Sequence, residues 1–272
     1  MKESLWERIV SVRNNSPLVH NITNFVVMNT TANALLATGA SPIMAHAHAE
    51  VQDMVALCSA SVINIGTLND YWIKSMELAA AKASEINKPW VLDPVGAGAT
   101  ALRDETVAML LQYKPTVIRG NASEIMALAK VSQQKTKGVD SVHQSSEAIE
   151  AAQWLNTTYG SVVCISGATD VIISGTQKVL LKNGHPLMQK VTGLGCTATA
   201  LIGAFVGNDS SNAFQATIAA MALLGVAGEI AEQNSVGPGS LQLHILDKLY
   251  NITEAEFYQY LNAGEQNGEF PL

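Results

Sequence analysis

The residues best suited to chemistry in this sequence are Asp93, Glu124, Arg119 and Cys196, and each follows a short apolar run or a tight turn. Asp93 ends "WVLD" and opens "DPVGAGAT". Arg119 and Asn121 end "VIRGN", with Glu124 one short turn later. Cys196 closes "TGLGC", ahead of an apolar stretch that reads as a helix. Two carboxylates, a lone arginine and a glycine-rich helix start make a set for holding polyphosphate. Acids hold Mg²⁺ directly or through water, and arginine and helix-start amides offset phosphate charge. Positioning and electrostatics are most of what phosphoryl transfer requires. The thiol is the odd member. Helix N-termini lower a cysteine's pKa, so a partly ionised Cys196 is the expectation.

Other polar residues close apolar runs in the same way. "VCISG" delivers Ser166 and Gly167, "VHNITNF" delivers His20, Asn21 and Asn24, and "PIMAHAHAE" delivers Met44, His46 and His48. Simpler roles compete for several of them. Asp before Pro opens turns, and an acid three residues after Asn121 fits a capping box. His46 and His48 share a strand face with no third ligand nearby, so they read as loop histidines rather than zinc ligands. "GAGAT" lacks the full spacing of a dinucleotide fingerprint, and neither a P-loop nor a G-x-S-x-G elbow is present.

The elements that must position these residues alternate. Residues 61–66, 89–96, 115–121 and 161–167 read as strands, and 70–86, 101–113, 122–130 and 145–160 as helices, with a polar stretch near 131–146. Short apolar strands separated by helices signal βαβ units and a parallel sheet. Residues 170–184 break the rhythm and read as a hairpin turning near Gly175 and Gln177. From Cys196 onward the pattern is almost wholly helical. The expectation is one α/β domain over residues 1–272, with a mostly parallel central sheet, helices on both faces and a helical C-terminal third. Ligands in such folds bind outside the carboxyl ends of the strands.

Composition narrows the function. The 272 residues are 48% hydrophobic and 14% charged, with a net charge of −7 and a mean hydropathy of +0.17. An acidic chain without Lys/Arg clusters is a poor nucleic-acid binder. The most apolar stretches are interrupted by polar residues, and the N-terminus lacks an apolar signal core. No membrane association and a cytoplasmic location are expected. Three widely spaced cysteines make neither a disulfide framework nor a zinc site. Cys58 and Cys164, inside apolar runs, read as buried small hydrophobes.

With these residues assembled, the chain resembles the hydroxyethylthiazole kinase family of the ribokinase-like superfamily. The resemblance rests on "VHNITNFVVMNTTANALLATGASPIMAHA", "VLDPVGAGAT", "VIRGNASEI" and "TGLGCTATALIGAF", in that order, and spans nearly the whole chain. It implies transfer of the ATP γ-phosphoryl to the primary hydroxyl of 4-methyl-5-(2-hydroxyethyl)thiazole, a thiamine-salvage step. It implies that Asn24, Met44 and Gly193 line the thiazole pocket, that Arg119, Asn121 and Ser166 serve ATP, and that Asp93 and Glu124 serve Mg²⁺. It also implies a homotrimer with active sites at subunit interfaces. Ribokinase-like relatives are expected to carry aspartate where Cys196 stands, as base for the acceptor hydroxyl. Rival readings are a hydroxymethylpyrimidine-type kinase, an ADP-forming dehydratase of hydrated nicotinamide nucleotides, a non-catalytic nucleotide-binding module, and a thiol hydrolase needing His20, His46 or His185 as base.

Overall fold

Strands buried on both faces need helices on both faces, and the chain supplies them in alternation. The computed structural model describes residues 1–133 and 144–267, so the polar stretch near 131–146 falls largely outside the described residues. The chain opens with α1 (Lys2–Asn15), β1 (Leu18–Ile22), α2 (Met28–Thr38), β2 (Ser41–Ile43) and α3 (Val51–Leu57). Next come β3 (Ala60–Asn64), α4 (Asp70–Glu85), β4 (Trp90–Asp93), α5 (Ala101–Leu110), β5 (Val117–Asn121) and α6 (Ala122–Gln133). After α7 (Gln144–Tyr159) and β6 (Val162–Ser166) the hairpin of β7 (Asp170–Ser174) and β8 (Gln177–Leu181) follows. A 3₁₀ turn (Pro186–Lys190) leads to α8 (Leu194–Asn208), α9 (Ala213–Glu232), α10 (Pro238–Asn251), α11 (Glu254–Tyr260) and β9 (Ala263–Asn267).

All strands join one sheet in the order β2-β1-β3-β4-β5-β6-β7-β8-β9. The pairings from β2 to β6 are parallel, and those from β6 to β9 are antiparallel. Every residue of β3 and of β4 is buried, which is why these strands read as continuous apolar runs. One core packs α1, α2, α8, α9 and α10 on one face through residues such as Leu5, Leu35, Phe205 and Leu241, against Val19, Val62 and Val91. The other packs α3 to α7 through Val51, Trp72, Val107, Ile125 and Leu155, against Ile22, Ile63 and Ile118. The hairpin turns at Gly175, whose φ of 58° suits a tight two-residue connection between Ser174 and Gln177.

Two details add to or depart from the expectations. The C-terminal third is almost wholly helical, as expected, with one short strand: Ala263–Asn267 forms β9 along the open edge of β8. Its sequence has little β-propensity; the free edge of a hairpin supplies the pairing partner. "PIMAHAHAE" is not a long strand: β2 stops at Ile43, and residues 44–50 form a loop before α3. In addition, Ser210–Glu232 is long and apolar enough to cross a membrane by length and composition, and 83% of that window is buried inside the protein. Its apolar character on all sides suits a core helix.

Strand order reverses between β1 and β3, since the chain leaves β1 outward for β2 and returns to β3. A crevice opens beyond the carboxyl ends at such a point. Helix α8 crosses the sheet there and packs on β1, β3 and β4. Gly203 permits that approach, because a Cβ there would lie 2.4 Å from Val62 Cγ2 and 3.2 Å from Val19 Cγ1. Gly203→Ala therefore gains about 1 kcal/mol of helix propensity and loses more to overpacking. We expect a net loss of about 1–2 kcal/mol in urea unfolding; an unchanged midpoint would show that α8 does not press on the sheet.

Candidate active site

The strand ends deliver their polar residues to one edge of the sheet. Asn24 lies just past β1, Asn64 ends β3 and Asp93 ends β4. A hydrogen-bonded chain links them. Asn24 Nδ2 donates to Asn64 Oδ1 at 2.8 Å and lies 3.3 Å from Cys196 Sγ. Asn64 Nδ2 donates to Asp93 Oδ2 at 2.7 Å. Thr199 Oγ1, one turn after Cys196 on α8, donates to the same oxygen at 2.8 Å. Asp93 Oδ1 has no partner, although Asp93 is fully buried. Burial pushes the Asp93 carboxyl up to about 6, against the opposing pull of Arg119 and of the Thr199 and Asn64 donors.

Cys196 contradicts the expectation of a partly ionised thiol. Burial raises its pKa, and the nearby Asp93 charge raises it further, against hydrogen bonds from Asn64 and Asn24 and the charge of Arg119. The helix start is not enough to offset desolvation beside a carboxylate. Cys196 is therefore a neutral thiol in the resting protein. Cys58 and Cys164 are buried, as read from the sequence, and burial raises both of their pKa values.

Gly193 caps α8 with φ 80°, and a Cβ there would meet Val27 Cγ1 at 2.3 Å. Only glycine combines that backbone conformation with that contact. The first α8 hydrogen bond runs from Thr197 N–H to the Gly193 carbonyl, so the amides of Leu194, Gly195 and Cys196 have no acceptor within the helix. Arg119 lies against this turn: a Cβ on Gly195 would sit 2.7 Å from Arg119 Nη1. Arg119 Nη2 donates to Ser166 Oγ at 2.7 Å.

Arg119, Ser166 and Gly195 line a cavity of about 470 Å³, together with Asp170 and the apolar Met188 and Met221. The wall formed by residues 183–189 is anchored at Asn183. Asn183 Nδ2 donates to Glu229 Oε2 at 2.6 Å and to the Tyr260 carbonyl at 2.8 Å, and Asn183 Oδ1 accepts from Asn262 N–H at 2.8 Å. Asp170 Oδ1 accepts from Gly167 N–H at 3.0 Å, and burial pushes its carboxyl up to about 6. The fold thus places a turn with open helix-start amides and a mostly apolar cavity side by side.

Glu124 and Asn121 form the capping box foreseen as the simpler role. Asn121 Oδ1 accepts from Glu124 N–H at 3.0 Å, and Glu124 Oε2 accepts from Asn121 N–H at 2.8 Å. Glu124 does more than cap: its Oε1 accepts from Gly96 N–H at 2.9 Å and ties α6 to the glycine turn after Asp93. Asn121 is exposed and is not among the cavity's lining residues. Met44 sits half-buried at the end of edge strand β2, outside the hydrogen-bonded chain. His46 and His48 are loop residues whose rings pack on Trp72 and Tyr71.

Asn64, Thr199, Asn183 and Asp170 escaped the sequence reading. The Asn at the end of "SVINIG" was the one signal available for Asn64. Thr199 looks like any helical threonine until α8 is laid over β4.

The buried Asp93 has a cost that pH reads out. Its folded pKa of about 6 lies above the ordinary value of 3.8, so the folded chain holds a proton that the unfolded chain releases between about pH 4 and 6. Stability falls as pH rises through that window and carries the full cost above it, on the order of 2–3 kcal/mol. In chelator, Asp93→Asn should be more stable than the parent at pH 8, with the gap narrowing toward pH 4. Urea unfolding at several pH values measures this; equal stability at pH 8 would contradict it.

Comparison with known proteins places the chain in a family. The sequence model of the Hydroxyethylthiazole kinase family matches residues 9–255. A hydroxyethylthiazole kinase of Syntrophus aciditrophicus (strain SB) is 54% identical over 266 residues, covering 97% of this chain and 98% of that protein. The solved structure of a hydroxyethylthiazole kinase protein from Pyrococcus horikoshii OT3 superimposes with a TM-score of 0.90 at 42% identity, covering 98% of this chain and all of that one (100%). A ribokinase-like superfamily protein from Enterococcus faecalis V583 shares the fold, with a TM-score of 0.65 at 14% identity over 96% of this chain and 95% of its own. The chain belongs to the hydroxyethylthiazole kinase family and has a ribokinase-like fold.

Proposed function

We propose that this chain transfers the γ-phosphoryl of ATP to the primary hydroxyl of 4-methyl-5-(2-hydroxyethyl)thiazole, a step of thiamine salvage. The observation that carries the reading is the buried Asp93 with one unpartnered oxygen, set between the Cys196 helix start and the Arg119 end of the cavity. The hydroxyl oxygen bonds to the γ-phosphorus, the bond to the β-phosphate oxygen breaks, ADP leaves, and the hydroxyl proton is released.

The residues present suit Mg²⁺. Asp93 has an unpaired oxygen aimed away from its donors, Glu124 stands at the same sheet edge, and among the described residues there is no ready-made cluster of three or more metal-binding side chains. A cation held by one or two carboxylates and by phosphate oxygens is the usual arrangement for Mg²⁺. Asp93 and Glu124 would hold it, directly or through water, and when bound it neutralises phosphate charge. Arg119, with Ser166 on its guanidinium, and the amides at the start of α8 face the same charge from the protein side. Asn121 contributes through the cap that fixes Glu124.

Asn24, Met44 and Gly193 form the acceptor side. The thiazole is flat and uncharged, so an apolar wall with few polar anchors suits it, and the Met44 thioether packs well on aromatic rings. Cys196, a neutral thiol, orients the acceptor hydroxyl, whose proton leaves late. A neutral thiol is adequate when the transition state is loose and the hydroxyl keeps its proton until the new bond is well formed. A coupled ADP-release assay should give turnover with the thiazole alcohol and little with other primary alcohols, hydroxymethylpyrimidine included. In that assay Cys196→Ala should lower kcat about tenfold, less than a full general base contributes; full kcat in the Ala variant would remove the orienting role.

A homotrimer with sites at subunit interfaces completes the proposal. Phe25 and Val26 directly follow Asn24 and are 60% and 62% exposed, and β2 ends the sheet with an open edge. An exposed apolar pair beside a ligand site suits a subunit contact. Light scattering should give three times the 28.8 kDa of one chain; a single-chain mass would overturn the trimer.

A further inference from the structure

His20 is a buried titratable side chain that the phosphoryl-transfer site does not use. It sits in the middle of β1 with no exposed surface, and both ring nitrogens are engaged. Nε2 lies 2.6 Å from the carbonyl oxygen of Ala45, and Nδ1 lies 3.3 Å from Ser61 Oγ on β3. A carbonyl oxygen only accepts, so Nε2 carries the proton and Nδ1 accepts from the Ser61 hydroxyl. Burial lowers the pKa of the ring, in keeping with that neutral tautomer.

Ala45 directly follows Met44. The loop after β2 has few backbone partners of its own, since β2 stops at Ile43. Its carbonyls are claimed instead by side chains from beneath: Ala45 by His20, and His46 by Ser75 Oγ of α4 at 2.6 Å. The His46 ring lies 4.7 Å from the Trp72 ring, between centroids. The loop is therefore seated on the β1–β3–α4 core at consecutive residues.

We propose that His20 is a positioning residue for the acceptor alcohol: by holding the Ala45 carbonyl it fixes the Met44 backbone at the edge of the acceptor pocket. The inference rests on the reading of Met44 as a thiazole contact. His20 touches neither substrate. Its loss frees the Met44 loop and leaves the Arg119–Ser166 cavity as it is.

The test compares steady-state kinetics of the parent with His20→Leu, His20→Gln, His20→Asn and Met44→Ala, each checked for a cooperative melt. The Gln amide reaches the place of Nε2 and can donate to Ala45, whereas the Asn amide reaches only the place of Nδ1. The expected result is a thiazole KM raised about tenfold in His20→Leu and His20→Asn, with ATP KM within about twofold of the parent and His20→Gln restored to within about threefold. Met44→Ala should also raise the thiazole KM. If His20→Leu does not fold, the Gln and Asn variants decide. A lower thiazole KM in Asn than in Gln, equal KM values in the two, or equal rises in both substrates' KM, overturns the proposal. If Met44→Ala alone leaves the thiazole KM unchanged, the acceptor-pocket reading fails, and the inference built on it falls for that separate reason.

Discussion

A fully buried carboxylate with one oxygen left open is the constraint around which this molecule is arranged. Asp93 ends β4, a strand buried along its whole length, and two neutral donors, Asn64 and Thr199, satisfy only its Oδ2. Such a group is costly unless a ligand completes it. Everything nearby keeps it in place. Arg119 supplies compensating charge, Glu124 holds the glycine turn that follows it, and α8 brings Thr199 down from the other face. Free energy given up in the resting fold is recovered by any group that completes Oδ1.

Holding Thr199 against Asp93 requires a helix that lies close to the sheet. That closeness comes from small residues along α8, Gly203 and Gly207 above all, where β-carbons would meet Val62 and Ala60. The same helix exposes its first amides at the other end, through the left-handed Gly193. One element thus sets the depth of the carboxylate's partner and the position of the turn with open amides. Cys196 stands between them, in a setting that raises its pKa. The thiol's chemistry is governed more by the neighbouring carboxylate than by the helix start.

Much of this was legible in the sequence, and for physical reasons. Asp93 and Ser166 end strands, Arg119 lies in β5 and Glu124 one short turn beyond it, and a polar residue closing an apolar run must face the carboxyl edge of the sheet. The alternating pattern of 61–167 gave the parallel sheet, because strands buried on both faces cannot hide their composition. What escaped depends on contacts distant in sequence. Thr199 acquires its role only when α8 crosses β4, and Asn183 only when the segment around Tyr260 returns to it. The strand Ala263–Asn267 is formed by a waiting edge rather than by its own propensity. The ionisation of Cys196 was misjudged because desolvation by surrounding elements is invisible in a linear pattern.

The Asn183 anchor couples the cavity to the end of the described chain. Two of its partners, the Tyr260 carbonyl and the Asn262 amide, lie 77 and 79 residues downstream. The cavity wall is therefore set only when the segment after α11 has docked. A ligand that binds only the finished cavity would stabilise that docked segment by mass action.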